Sequence, residues 1–465
     1  MALASQHITL DTTLKQLYSL DGGSDRDIVL VYAVPTADVQ MTSGFPLSSK
    51  FIYQSPLSPV EDSDELARLF LQVVPQLFGF IAGKMPLILF DLEHDHRERP
   101  QNQLSFGSER ANQVDAFRVF DQLSPSQRPQ VTFVVKAQDI VLFPGAQIAI
   151  ASPMDCMLHL PHAVEPEAHY ELLSKRALAL SGLPTPGSKV IDTLLQPYQI
   201  PNERLVDAEV IRMVKPIRER PLPFAVKMPQ ALSGQGTFLI RTESDSQKAV
   251  EVLAREVKRM LHQLNDSNKN LQPCSLVVQD LIPGDTAALS LFVTKTGRTI
   301  FTSCTEQIMD AAGHWGGAFI SYEQQDHLEK VYAQIMGEMA QYVHQKGYYG
   351  PMNADVMTSP DGRHLIVDLN VRVAGSHPLG FLKNHFSVDR NLPEAVLFFP
   401  LCLKGTRVAF EREFERNFRD GSLIIAGWCP DKSGINSISS VILAAETTEK
   451  LRSFIDEVNL HKLPE

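Results

Sequence analysis

Tryptophan occurs twice and cysteine five times in the 465 residues of this chain. The cysteines (Cys156, Cys274, Cys304, Cys402 and Cys429) are scattered and form no CxxC pair, which argues against a disulfide scaffold or zinc framework and for reduced thiols. Positive charge is in deficit: 43 Lys and Arg stand against 54 Asp and Glu, a net charge of −11. A nucleic-acid binder needs a basic face, so none is expected, although a local basic pocket fits within an acidic protein. No apolar run approaches the roughly 18–20 residues that span a bilayer. The N-terminus, MALASQHITLDTTLKQ, lacks the charged and apolar regions of a secretory signal. The expectation is a soluble cytoplasmic protein with neither nucleic acid nor membrane as partner. GxxxxGK(S/T), GxGxxG after a first strand and GxSxG are all missing, so P-loop, dinucleotide-binding and serine-hydrolase readings fail.

What is present is an ordinary globular composition, 44% hydrophobic and 21% charged, over a length that suits two to four domains or subdomains. In the first 160 residues, Asp27–Val34, Pro86–Phe90, Val131–Val135 and Gln147–Ala151 read as buried strands, and Ser63–Phe80 as an amphipathic helix. That alternation predicts an α/β layer with a partly parallel sheet. A helix over His169–Ser181 is followed by Gly182 and prolines, which are stop signals. Phe224–Ile240 reads as strand, turn and strand, Ser246–Leu264 as a helix and Ser275–Gln279 as a strand. Leu289–Thr294 and Thr299–Cys304 form a hairpin pattern, and His327–Lys346 a helix. Beyond Pro400, strands are expected at Arg407–Phe410, Leu423–Gly427 and Val441–Ala445, with a final helix near Thr448–Val458.

Chemistry concentrates in Tyr349–Pro378, YGPMNADVMTSPDGRHLIVDLNVRVAGSHP. Two strands, Ala354–Thr358 and His364–Leu369, flank the turn Ser359-Pro360-Asp361-Gly362. Strand side chains alternate, so Asp355, Asp368 and Asn370 can share a face. Two carboxylates and an amide oxygen make the hard, oxygen-only site that Mg²⁺ prefers, and Mg²⁺ usually arrives with phosphates. Arg372 adds a cation on the same face. A second feature is Lys227, at the end of an apolar strand, followed by the loop Ser233-Gly234-Gln235-Gly236. Such a loop lays backbone N–H groups over phosphate oxygens while the lysine supplies charge.

The order of these elements, with Val277-Val278-Gln279-Asp280-Leu281-Ile282-Pro283-Gly284-Asp285 between them, resembles the ATP-grasp superfamily over about residues 170–400. The resemblance implies an ATP-grasp fold of α/β and α+β class. An N-terminal α/β pre-ATP-grasp domain would span 1–168, the ATP-grasp domain 169–400 with a lid near 216–280, and a small C-terminal α+β region 401–465. It implies that Lys227 binds phosphate under the Ser233, Gly234, Gln235 and Gly236 loop, and that Gln279, Asp280, Leu281 and Ile282 hold adenine. Asp285 or Thr286 would face the ribose, and Lys175 or Arg176 would add a phosphate contact. Asp355, Asp368 and Asn370 would coordinate Mg²⁺, with Mn²⁺ as the alternative. Asp368 stands where the family more often has Glu, and Thr286 likewise.

Arg372 would hold a substrate carboxylate or its acyl phosphate. The implied activity is an ADP-forming ligase that joins a carboxylate to an amine, with small-molecule substrates and a homodimer as the default assembly. The alternatives are an ATP-binding regulatory protein without catalysis and a ligase with a thiol or bicarbonate acceptor. Glu306-Gln307, the loop around His314 and Trp315, and His377-Pro378 are candidates for closing or shaping the acceptor pocket. Asp91, Glu93, His94, Asp95 and His96 resemble metal ligands in composition, but their spacing fits a solvated polar loop better.

Overall fold

The computed structural model describes residues 7–22, 27–33, 48–54, 69–91, 111–231, 236–309, 315–431 and 433–463. Three sheets organise them. The first is wholly parallel: β1 (Ile28–Val31), β2 (Pro86–Phe90), β3 (Gln130–Val134) and β4 (Gln147–Ile150) run in the order β3-β2-β1-β4. β1 and β2 are apolar and buried almost throughout, as in other parallel layers, whereas β3 and β4 alternate in burial. The second sheet comprises β5 (Ser188–Asp192), β6 (Phe224–Lys227), β7 (Thr237–Ile240) and β8 (Ser275–Asp280), antiparallel in the order β5-β8-β6-β7. Helices Glu203–Glu219 and Glu243–His262 pack on it through Val206, Met213, Ile217, Leu253, Val257 and Leu261, which gives this unit its own apolar core.

The third sheet is antiparallel and has eight strands: β9 (Thr286–Val293), β10 (Thr299–Met309), β11 (Trp315–Ser321), β12 (Gly350–Thr358), β13 (His364–Asn370), β14 (Glu394–Leu403), β15 (Leu423–Pro430) and β16 (Ser437–Ala445). Their order is β13-β12-β9-β10-β11-β14-β16-β15. Strands from beyond residue 400 therefore continue the sheet that carries β12 and β13. The edge strand β15 is closed by side chains rather than by a ninth strand. Gln76 donates to the Trp428 carbonyl at 3.0 Å and accepts from its N–H at 2.9 Å. Gln122 makes the same pair of bonds to Ile425. Two amides thus satisfy backbone groups that an open edge would leave exposed to pairing.

The mixed α/β class agrees with the sequence, but some elements differ. Arg407–Glu413 is a helix, not a strand at Arg407–Phe410. Thr406 accepts from the Ala409 N–H as an N-cap, and Arg407 pairs with Glu411 one turn on at 2.8 Å. The expected helix over His169–Ser181 is two helices, Pro166–Leu172 and Lys175–Ala179, broken at Leu173-Ser174. Of Ser63–Phe80, Leu69–Val73 forms a π turn and Val74–Gly79 an α-helix; residues 63–68 lie outside the described residues. The sequence pattern does not predict strands β5, β11 and β14 or the helices Ala111–Asp121 and Glu203–Glu219. No helix among the described residues is long and apolar enough to cross a membrane.

Candidate functional site

A cavity of ≈ 1150 Å³ opens between the second and third sheets beside the helix Val74–Gly79, and it gathers side chains that lie far apart in sequence. Its floor is the face of β12 and β13. Asp355 and Asp368 are direct cross-strand partners, and Asn353 pairs with Asn370 two residues along. Paired residues in adjacent strands stand about 5 Å apart at Cβ, so the two carboxylates are immediate neighbours. Both are half-buried, enclosed by protein yet turned to the cavity. Gln307, on β10, donates to Asp355 Oδ1 at 2.6 Å.

Two lysines approach this floor from different elements. The break at Leu173-Ser174 starts a new helix at Lys175, whose N–H bonds the Pro229 carbonyl at 2.9 Å. Its Nζ then sits 3.0 Å from Asp368 Oδ1 and 3.1 Å from the Ala231 carbonyl. Arg176 turns away and grips Asp192 with two bonds of 2.7 and 2.8 Å, so Lys175 is the one that enters the cavity. Lys227 ends β6 and donates to the Val367 carbonyl, between the two carboxylates' strands and the second sheet.

These proximities shape the charges. Burial pushes the Lys227 ammonium down to about 8, against the attraction of Asp368. Burial and the neighbouring Asp368 charge raise the Asp355 carboxyl, opposed by the Gln307 bond. Burial also opposes the Asp368 charge, yet Lys175 and Lys227 together hold that carboxyl below its usual range. Burial loosens the proton on Arg372, but a guanidinium remains charged. Arg372 follows Asn370 on the same face; one terminal nitrogen reaches Asn370 Oδ1 at 3.2 Å and the other the Val373 carbonyl at 3.4 Å.

The other predicted residues divide. Gln279, Asp280, Leu281, Ile282, Asp285 and Thr286 all line the cavity along the connection from β8 to β9. Gln279 is buried and donates to Ser188 Oγ at 3.0 Å, whereas Asp280 is exposed and paired with Arg220 at 2.5 Å. Gly236 carries the return into β7; a Cβ there would overlap Ala231, so the close approach requires glycine. Ser233, Gly234, Gln235 and His314 lie outside the described residues, as do Glu93, His94, Asp95 and His96. His377 is buried beside the site and accepts from the Ala374 N–H through Nδ1 at 3.0 Å, with burial pushing its imidazole down to about 3. Glu306, Gln307 and Trp315 line the cavity. Phe78 and Phe399 line it too, and sequence spacing gives no sign of either, because their elements meet the cavity only through tertiary packing.

Among the described residues no group of three or more His, Cys, Asp and Glu side chains is placed to hold a metal ion. A cation here would take two carboxylates and the Asn370 amide from the protein, and its remaining oxygens from phosphate and water. That incomplete, oxygen-only set is the one Mg²⁺ accepts, and it fits Zn²⁺ poorly.

No protein-family model matches the sequence, and no curated protein does. Among solved structures the chain is similar to an N5-carboxyaminoimidazole ribonucleotide synthetase in its ADP complex, at 12% identity, covering 72% of this chain and 86% of that one with a TM-score of 0.46. It is similar to an L-amino acid ligase from Bacillus licheniformis at 14% identity, covering 73% and 88% with a TM-score of 0.45. A phosphoribosylamine–glycine ligase from Thermotoga maritima gives 14%, 69% and 83%, and 0.43.

Proposed function

We propose that this chain is an ATP- and Mg²⁺-dependent ligase of the ATP-grasp superfamily, activating a small carboxylic acid for attack by an amine and releasing ADP and phosphate. The observation that carries the reading is the convergence of Lys175, Lys227, Asp355, Asp368, Asn370 and Arg372 on one cavity bounded by the β8–β9 connection. Three fixed cations and two carboxylates at one point suit a polyphosphate and a divalent cation together; either alone would leave charge uncompensated.

A carboxylate is a poor electrophile. One of its oxygens attacks the γ-phosphorus of ATP, the bond to the β–γ bridging oxygen breaks, and ADP leaves with that electron pair. The acyl phosphate formed on the substrate has a good leaving group. The amine nitrogen attacks the acyl carbon, the carbon–oxygen bond to phosphate breaks, and the amine proton passes to phosphate or water. Lys175 and Lys227 hold and neutralise phosphate oxygens, Lys175 exchanging its Asp368 partner for the nucleotide. Asp355, Asp368 and Asn370 would hold Mg²⁺, which supplies charge neutralisation and in-line orientation when bound. Arg372 positions the acid and stabilises negative charge on the tetrahedral carbon centre. Gln279 to Ile282 would pack adenine, with Asp285 or Thr286 at the ribose.

The division at residues 168 and 400, with a lid over 216–280, belongs to the same proposal. The separate apolar core of β5–β8 and its two helices supports a lid unit that begins before residue 216, since it takes in Ile191, Val206 and Met213. The test is a screen for ADP release with pooled acids and amines, followed by mass spectrometry of the product. Release of AMP and pyrophosphate would reject the mechanism; nucleotide binding with no turnover across the panel would favour a regulatory protein.

A further inference from the structure

The cavity has two chemically different ends. On the side of the second sheet the lining is mixed, with Lys227, Arg241 and Asp280 among Ala225, Leu239 and Leu281. On the side of the helix Val74–Gly79 it is apolar. Val74, Leu77 and Phe78 come from the helix Val74–Gly79, Trp315 from the start of β11 and Phe399 from β14. These rings are fixed by neighbours. Phe78 meets Tyr32 edge to face at 5.7 Å between centroids, and Trp315 lies 5.7 Å from Phe399 at an interplanar angle of 40°. Gly375 faces the Trp315 indole so closely that a Cβ would overlap the ring.

Arg372 joins the two ends. It lines the cavity three residues before Gly375, and its Nε is buried with no hydrogen-bond partner among the described residues. The two bonds its terminal nitrogens make, at 3.2 and 3.4 Å, are long for a charged donor. A buried guanidinium with donors unused favours an arriving carboxylate strongly, because the alternative is an unsatisfied polar group.

We propose that the apolar end is the specificity subsite for the acid, and that the acid carries a bulky apolar or aromatic group seated among Phe78, Trp315 and Phe399 with its carboxylate on Arg372. The proposal rests on the ligase reading and adds the class of acid to it. A charge or a hydroxyl on the side chain that enters this subsite would be desolvated against these rings without a partner, so acids with polar side chains of equal size are rejected. A small acid such as alanine leaves the pocket unfilled and loses the apolar contact.

Two measurements test this: calorimetric binding of each acid alone, and ADP release with a fixed pool of amines. The acids are alanine, aspartate, succinate, leucine, phenylalanine and phenylpropionate. The last three are expected to saturate at concentrations about ten- to hundred-fold lower than the first three. Trp315→Ala is expected to erase that preference in both measurements while leaving KM for ATP unchanged, and Trp315→Phe to restore it. Preference for aspartate or succinate, or a preference unchanged by Trp315→Ala, overturns the subsite while the ligase reading stands. Apolar acids that bind through Trp315 but yield no ADP uphold the subsite and overturn the ligase reading. Neither binding nor turnover with any apolar acid overturns the proposal.

Discussion

Lys175 Nζ and Asp368 Oδ1 lie 3.0 Å apart across the boundary between a short helix and the central sheet, with only 10% and 24% of the two side chains exposed. The pair ties a would-be phosphate ligand to a would-be metal ligand. It keeps two groups that face each other charged and oriented before a nucleotide arrives, which is preorganisation of the kind electrostatic catalysis requires. On the proposed reading, ATP competes with Asp368 for Lys175.

Asp368→Asn is expected to abolish amine-dependent ADP release, by at least about a hundredfold. The side chain keeps its shape, so circular dichroism and the folded yield should match the wild type. Turnover that survives this change would show that the metal assignment is wrong.

Lys227→Met separates function from stability. Burial already disfavours the ammonium, as its downward shift to about 8 records, so an apolar replacement removes a desolvation cost along with the bond to Val367. Thermal unfolding should show no loss of Tm, while KM for ATP rises about tenfold or more. A variant that unfolds but binds ATP normally would contradict this.

The edge clamp makes a stability prediction remote from the cavity. Gln76→Ala strips both the donor and the acceptor that serve Trp428, leaving two buried backbone groups unpaired. A cost of about 3 kcal/mol is expected in urea denaturation, with KM for ATP unaffected. A change below about 0.5 kcal/mol would mean that water replaces the amide.

Acid should destabilise the fold through buried histidines. Burial pushes His169 and His385 down to about 4 from 6.5, so both are neutral when folded and the unfolded chain binds more protons below 6.5. Their stabilisation is present above that value and is lost as pH falls toward 4, at up to about 1.4 kcal/mol per pH unit for each. Asp11, raised by burial to about 6, works the other way, since its contribution is lost as pH rises through 6. His377, pushed down to about 3, acts with the two histidines, and Asp355, raised by burial, acts with Asp11; the three histidines outweigh the two carboxyls. Urea titrations from pH 7.5 to pH 4 should show falling stability, with a shallower slope in His385→Gln; a flat profile would contradict it.

Much of the site follows from local pattern. Alternation suffices to put Asp368, Asn370 and Arg372 on one face, but the pairing of Asp355 with Asp368 depends on a register shift between Asp355 and Val356 that the sequence does not reveal. What sequence leaves open is set by tertiary packing. The choice between Lys175 and Arg176 depends on a helix break that the Pro229 carbonyl and Asp192 decide from other elements. Gln307 reaches Asp355 across β9, 48 residues away in sequence, by sheet order alone. Arg407–Phe410 is expected as a strand, yet its cap and its one-turn ion pair make it helical. Phe78 and Phe399 give no motif at all; only the packing of the helix Val74–Gly79 against the third sheet makes them neighbours of one cavity.

The central claim is that this cavity phosphorylates a carboxylate with ATP. The most direct measurement is the nucleotide product formed when the protein turns over Mg²⁺-ATP with pooled acids and amines, quantified with and without a chelator. The account predicts ADP and phosphate in equal amounts with one ligated product, all lost on chelation and in Asp368→Asn. AMP with pyrophosphate, or ADP formation that ignores both the chelator and Asp368→Asn, would contradict it.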